Sequence, residues 1–248
     1  MIVLMLLVSV AGALATSLKN NMISYYALDE NSGSIATDSV GFTNLTLYNS
    51  PTWTTGKINY GLNLDGSNDY LSSNDNVNVT GSAPRTLNVW ARPDKVTGDQ
   101  YIVGIGNSSI NNQAFFINIY NGKARVVFIG SDFNSPTTLT AGQWYMFTAV
   151  YTGSSVLFYI NGNYDGTYSQ SINTANSKLF IGSNSNNVFF FDGLIDEVGF
   201  WNVALNSSQI TELYNNSAGY NPYSTPSPAP DILTFVVTAK DTFNNATI

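Results

Sequence analysis

Apolar and polar residues alternate along most of this chain. Leu87, Val89 and Ala91 interleave with Asn88 and Trp90, and the same period recurs in Ala124, Val126 and Phe128 and in Val156, Phe158 and Ile160. A period of two places successive side chains on opposite faces of an extended backbone, so it predicts β-strands. Strands are expected at residues 23–28, 45–48, 87–91, 101–105, 115–120, 124–129, 144–151, 156–160, 179–182 and 194–201. Turn-forming residues separate them: Asn121-Gly122, Gly153-Ser154-Ser155, Asn161-Gly162 and Asp165-Gly166. Asn121-Gly122, between two alternating runs, predicts a tight hairpin. One helix is expected at residues 206–214, where a polar cap precedes an apolar face of Ile210, Leu213 and Tyr214. Packing across a sheet edge or the end of a sandwich would bury that face. The pattern is that of an all-β domain with one short C-terminal helix.

The same parity sorts side chains by destination. If Leu87, Val89 and Ala91 point inward, Asn88, Trp90 and Arg92 share the opposite face. Later strands put Phe116, Asn118 and Tyr120, then Arg125, then Tyr159 and Asn161 outside. Aromatic planes stack on the C–H surface of a pyranose while amides and a guanidinium pair with its hydroxyls, so this outer set suits a sugar. A second apolar layer beneath covering loops is the competing explanation for Trp90, Phe116 and Tyr159.

Composition narrows the function classes. With 44% hydrophobic and 13% aromatic residues, 248 residues can bury one sizeable core. Only 10% of residues are charged, and abundant Asn, Ser, Thr, Gly and Tyr fit a strand-and-turn surface outside the cell. Nine Lys and Arg against sixteen Asp and Glu give a net charge of −7, and the absence of any basic run argues against a nucleic-acid partner. The chain has no Cys and no His, which removes disulfides, thiolate chemistry and Ser-His-Asp or Cys-His catalysis. Residues 1–19 begin with an uncharged apolar run and an Ala13-Leu14-Ala15 cleavage candidate, read as an export signal or a retained membrane anchor, the only expected membrane contact. A buried element of the domain is a third reading of that run. The folded domain is expected at residues 20–219, followed by a Pro-rich linker at 220–231 and the start of a truncated second β domain at 232–248. Six Asn-x-Ser/Thr sequons begin at Asn44, Asn78, Asn107, Asn206, Asn215 and Asn245.

Two stretches share one design, a short apolar strand joined to an Asp-Gly turn and acidic positions: Gly61-Leu62-Asn63-Leu64-Asp65-Gly66-Ser67-Asn68-Asp69-Tyr70-Leu71, and residues 191–205 around Asp192-Gly193-Leu194-Ile195-Asp196-Glu197. Between them, in order, come Thr86-Leu87-Asn88-Val89-Trp90-Ala91-Arg92-Pro93, Gly142-Gln143-Trp144-Tyr145, Ala149-Val150-Tyr151 and Leu157-Phe158-Tyr159-Ile160-Asn161-Gly162. This ordered set, over residues 23–215, resembles the laminin-G-like branch of the concanavalin A-like lectin/glucanase superfamily. The resemblance implies a two-sheet antiparallel jelly-roll sandwich, commonly binding glycans or other surface ligands, sometimes with calcium. Some relatives hydrolyse polysaccharide with acids in a Glu-x-Asp-x-x-Glu spacing, and Glu30, Glu197 and Glu212 of this chain do not reproduce it.

Asp65, Asp69 and Asp75, interleaved with Asn68, Asn74 and Asn76, offer the hard oxygen ligands that calcium prefers. If the two signature strands are neighbours, as the resemblance implies, Asp192, Asp196 and Glu197 can join them in a structural calcium site, for which Asp65, Asp69 and Asp196 are the expected ligands. Turn capping, in which each carboxylate accepts backbone N–H groups, is the alternative. A glycosidase needs two carboxyl groups about 5–9.5 Å apart; Asp192 and Asp196, four apart on a strand, would be separated by about 13 Å. The reading is an exported, non-catalytic module recognising a glycan or glycoprotein surface within a larger secreted or surface protein. A structural or adhesive spacer of a cell-surface or virion protein, and a polysaccharide hydrolase or lyase, are the alternatives.

Overall fold

The computed structural model describes residues 18–224, so the readings made for residues 1–17 and 225–248 lie outside the described residues. Sixteen strands occur among the described residues: β1 (Met22–Tyr26), β2 (Ile35–Ala36), β3 (Leu45–Tyr48), β4 (Thr52–Thr55), β5 (Tyr60–Asp65), β6 (Tyr70–Ser73), β7 (Arg85–Pro93), β8 (Asp99–Gly106), β9 (Ala114–Tyr120), β10 (Lys123–Val127), β11 (Phe133–Thr138), β12 (Tyr145–Tyr151), β13 (Ser155–Ile160), β14 (Asn163–Ser169), β15 (Leu179–Ile181) and β16 (Asp192–Trp201). They form two antiparallel sheets of eight strands. The first runs β14-β13-β12-β7-β16-β5-β4 with β1 also paired to β16, and the second runs β11-β10-β9-β8-β15-β6-β3-β2. The fold is the all-β jelly-roll sandwich that the alternation and the motifs predict.

Parity holds along β7, β9, β10 and β13. Leu87, Val89, Ala91, Ile117, Ile119, Ala124, Val126, Val156, Phe158 and Ile160 all lie in one core between the sheets. Each such Val, Leu, Ile or Phe side chain contributes about 1.5–3 kcal/mol on burial, so a one-residue slip of any central strand would forfeit several of them at once. The Asn121-Gly122 hairpin joins β9 to β10 with φ of 48° and 83° at its two central residues, the left-handed pair that matches strand twist.

Two local expectations need correction. Asp165-Gly166 is not a turn but lies inside β14, where the pairing to β13 slips by one residue between Phe158 and Tyr159. The Phe133 ring packs against Gly166, where a Cβ would come within 2.7 Å of it, and Asp165 accepts the hydroxyls of Ser135 and Thr137, so β11 and β14 close one side of the sandwich. The helix α1 (Ser207–Tyr214) forms as expected, with Asn206 and Gln209 capping each other's backbone N–H at 3.0 Å. It packs on the outer face of the first sheet, however, and not at an edge. Ile210 and Leu213 join Trp90, Met146, Val150, Tyr159 and Trp201 in a second apolar layer. That layer also takes in Leu18, from the segment read as leader, and Tyr220 and Tyr223, from the segment read as linker.

Candidate functional site

The residues assigned to one outer face belong to two, on opposite sides of the sandwich. Asn88, Trp90 and Arg92 on β7, with Tyr159 on β13 and Asn161 in the turn after it, lie on the first sheet's side. Phe116, Asn118, Tyr120 and Arg125, on β9 and β10, belong to the second.

Helix α1 withdraws most of the first group from solvent. Trp90 is 1% exposed and stacks on Tyr214 at 5.7 Å between ring centroids, with the Lys57 ammonium 4.4 Å from its own ring centre. Tyr159 is buried in the same layer, with Tyr164 edge-on to it. Asn88 accepts the Thr148 hydroxyl at 2.7 Å, and Asn161 Oδ1 accepts the Met146 N–H at 2.9 Å, so both amides serve the fold. Arg92, at the rim, pairs with Asp94 at 3.2 Å. Among these five, Trp90, Tyr159 and Asn88 are therefore corrected from ligand contacts to packing residues: a sheet face this apolar needs cover, and the amphipathic helix supplies it.

The second sheet's outer face is built differently. Register sets Tyr101 of β8 opposite Asn118 of β9, and Asn118 opposite Arg125 of β10. Arg125 donates Nε–H to Asn118 Oδ1 at 3.1 Å and Nη2–H to both Asp99 oxygens at 3.0 Å, and its Nη1 lies 3.5 Å from Asp132 Oδ2. Asn118 Nδ2–H donates to Asp99 Oδ1, and with no exposed surface Asn118 is corrected from a ligand contact to a support that holds Asp99 and Arg125 in place. Burial raises the Asp99 carboxyl above the ordinary aspartate range, and Arg125 opposes that shift. Burial, followed by the Asp99 charge, pushes the Tyr101 hydroxyl up to about 12. Phe116, by contrast, is fully buried on this face, edge-on to Tyr101 at 5.4 Å. Its ring lies over Gly104, where a Cβ would come within 2.2 Å of ring carbons. Phe116 is thus also a packing residue, the floor of the face.

Residues 184–189 arch over that floor. The Asn184 side chain accepts N–H groups from Asn186 and Val188 at 3.0 and 3.3 Å and lies near enough to the Tyr101 hydroxyl to oppose part of the rise in its pKa. Tyr101 N–H donates to the Phe189 carbonyl at 2.9 Å, and the Ser108 and Ser185 hydroxyls each accept the other's backbone N–H. Phe189 is held in the left-handed region, φ 61°, with its ring stacked on Tyr101 at 5.9 Å and 49% exposed. Tyr120, 42% exposed, lies under the Arg125 guanidinium at 4.4 Å. Two open rings therefore border a polar network whose own hydrogen bonds are made. On the other flank of the arch runs a groove of about 430 Å³ lined by Asn76, Asn107, Asn176, Lys178, Phe180 and Asn186. A larger groove, about 700 Å³ and bordered by Met22, Val40, Phe42, Val77 and Val79, is chiefly aliphatic.

Asp99, Tyr101, Asp132, Asn184 and Phe189 escaped the sequence reading. The pairing of β8 with β9 shifts between Tyr101 and Val103, which breaks a simple parity count through this strand. The run Val188-Phe189-Phe190-Phe191 was the available signal: four apolar residues ahead of the Asp-Gly start of β16.

The calcium set does not assemble. Asp192 pairs with Asp65 across β16 and β5, which leaves Asp196 four residues further along the strand. There Asp196 Oδ2 accepts the Lys57 and Ile58 N–H groups at 2.8 and 2.9 Å, and Oδ1 accepts that of Glu197 at 2.9 Å. Asp65 Oδ1 accepts the N–H groups of Ser67, Asn68 and Asp69, and Asp69 Oδ2 accepts that of Asp65. These carboxylates cap turns, and among the described residues no group of three or more acidic side chains is arranged to hold a metal ion.

The comparisons agree with this architecture. No curated protein sequence matches the chain. Domain 4 of AbnA, an extracellular GH43 arabinanase from Geobacillus stearothermophilus solved in complex with arabinotriose, shares the fold at a TM-score of 0.63 and 21% identity, over 77% of this chain and 97% of that domain. The binding domain of Paraclostridial Mosquitocidal Protein 1 aligns at a TM-score of 0.64 and 20% identity, over 80% of this chain and 53% of its own length, so this chain spans about half of it. The Trypanosoma rangeli sialidase aligns at 0.63 and 14% identity, over 81% of this chain and 34% of the sialidase. At these identities the likeness is one of fold. A family model of laminin-G type matches residues 65–211, more than half of the sequence, from the Asp65 turn through β16 to helix α1, and the chain accordingly belongs to the concanavalin A-like lectin/glucanases superfamily.

Proposed function

We propose that this chain is a non-catalytic, extracellular carbohydrate-recognition module of a larger protein, and that it binds glycan on the outer face of the second sheet. The observation that carries the reading is the pair of half-open rings, Phe189 and Tyr120, bordering the Asp99–Asn118–Arg125 network. An aromatic ring fixed by its own packing gives a sugar an apolar platform without first having to be ordered, and the network supplies acceptors beside it. The arabinotriose complex of a domain with this fold supports the ligand class. Non-catalytic action is favoured because Asp99 and Asp132 both turn onto one guanidinium, whereas glycosidase carboxyls flank the scissile bond from two sides. Among the described residues no helix is long and apolar enough to cross a membrane.

A glycan array followed by titration tests the reading. Wild-type protein should bind, and Phe189→Ala and Tyr120→Ala should each weaken binding about two- to tenfold, the loss of one stacked ring, with the fold retained. Failure to bind any glycan would leave the spacer reading, and sugar released from a polysaccharide would turn the assignment toward a hydrolase or lyase.

A further inference from the structure

Resting on that reading, the geometry points to a neutral oligosaccharide as the ligand class, with sialylated, uronate-bearing and sulfated glycans disfavoured. Around Asp99 and Asp132 the face is rich in acceptors and poor in available cations, Lys178 lying across the arch in the groove on its other flank. Asp99 Oδ2 accepts from Arg125 alone among the described residues, and Asp132 Oδ2 meets only the Arg125 Nη1 at 3.5 Å, so both retain lone pairs for sugar hydroxyls. Arg125 is the guanidinium between them and is already shared by both carboxylates and Asn118. Two carboxylates around one guanidinium leave a net negative charge at the centre of the face. The other cation on β8, β9 and β10 is Lys123, which keeps its charge but is turned to the edge strand β11, where its ammonium donates to the Pro136 carbonyl at 2.5 Å. The arch over residues 184–189 contributes amides, a hydroxyl, Val188 and Phe189, and no charge of either sign.

A hydroxyl can donate to the free carboxylate lone pairs and also accept from amide N–H groups, so a neutral sugar satisfies the face in both directions. A sugar carboxylate or sulfate only accepts, and it would enter against two like charges in a chain whose net charge is −7. Neutral recognition also leaves little ionic contribution to be screened, so affinity should be nearly independent of salt.

The test is calorimetric titration of the full-length chain with oligosaccharides that share one core and differ only in carrying, or lacking, sialic acid, uronate or sulfate. The array's neutral binders supply the core. At low salt each acidic member should bind about tenfold or more weakly than its neutral counterpart, and the gap should narrow as salt is raised. Asp132→Asn should narrow the same gap at low salt by removing one of the two charges. An acidic member that binds as tightly as its neutral counterpart or tighter, with affinity that falls as salt rises and is lost in Phe189→Ala, would overturn the charge selectivity while keeping this face as a glycan site. Absence of binding across the whole series would instead overturn glycan recognition, and the selectivity with it.

Discussion

Glu197 sits at the bulge of β16 with φ of 51°, 1% exposed, and neither carboxyl oxygen has a hydrogen-bond partner. Burial pushes its pKa well above the usual carboxyl range. A folded-state pKa raised above the unfolded one contributes stability that is fully present below the unfolded value, about 4.3, and is lost as pH rises through the folded value. Glu197→Gln should therefore be stabilising near pH 8 by about 1 kcal/mol, read as a melting-temperature rise of about 2–4 °C. The advantage should vanish toward about pH 4, and a variant that melts below wild type at both ends would refute the account. Phe189 carries the opposite trade. Its left-handed backbone costs about 1–3 kcal/mol and its ring recovers part of that on Tyr101, so Phe189→Asn should leave stability nearly unchanged by chemical denaturation while weakening glycan binding. Gly104→Ala should cost about 1–3 kcal/mol, because the added methyl collides with the Phe116 ring and the Phe115 carbonyl.

Among the elements, α1 decides which sheet face is open. Removing its reciprocal cap with Asn206→Ala should cost about 1 kcal/mol. Trp90→Ala should cost about 3–5 kcal/mol through loss of the layer beneath the helix, seen as a lower denaturation midpoint, while the folded fraction binds glycan with wild-type affinity. The central strands were legible because both the core and the alternation impose a period of two: β7, β9, β10, β12 and β13 alternate as expected. Edge strands were not. β11 contains Pro136 and β14 contains Asp165-Gly166, residues that signal turns elsewhere and are tolerated here because an outermost strand has one unpaired side. Parity could say that Trp90 and Phe116 leave the core, but which outer face a helix or an arch would cover depends on contacts distant in sequence, such as Tyr214 with Trp90 or Phe189 with Tyr101. Parity did place Tyr120 and Arg125 on the second sheet's outer face, where both lie, whereas Phe189 sits in an irregular arch that follows no period.

At the scale of the molecule, the acidic side chains among the described residues mostly cap turns or pair with a nearby cation, as Asp94 does with Arg92, Asp192 with Lys95, and Asp99 and Asp132 with Arg125. Asp38 illustrates the use: its two oxygens accept N–H groups from Tyr25, Val40, Phe42 and Thr43 and organise the segment after β2. With the proposed calcium ligands committed in the same way, adding calcium to chelated protein should leave the melting temperature unchanged, and a clear rise would reveal a bound ion stabilising the native state.

The Trp201 indole N–H donates to the Leu18 carbonyl at 2.7 Å, and Tyr223 packs on Tyr25 with ring centroids 5.7 Å apart. Both ends of the described polypeptide are thus fastened to the back of the sandwich, behind the surface that carries Phe189. The points at which the chain leaves the described domain, beside Leu18 and Tyr223, therefore both lie on the rear, so a tether that reaches the domain through either of them approaches from the side away from Phe189.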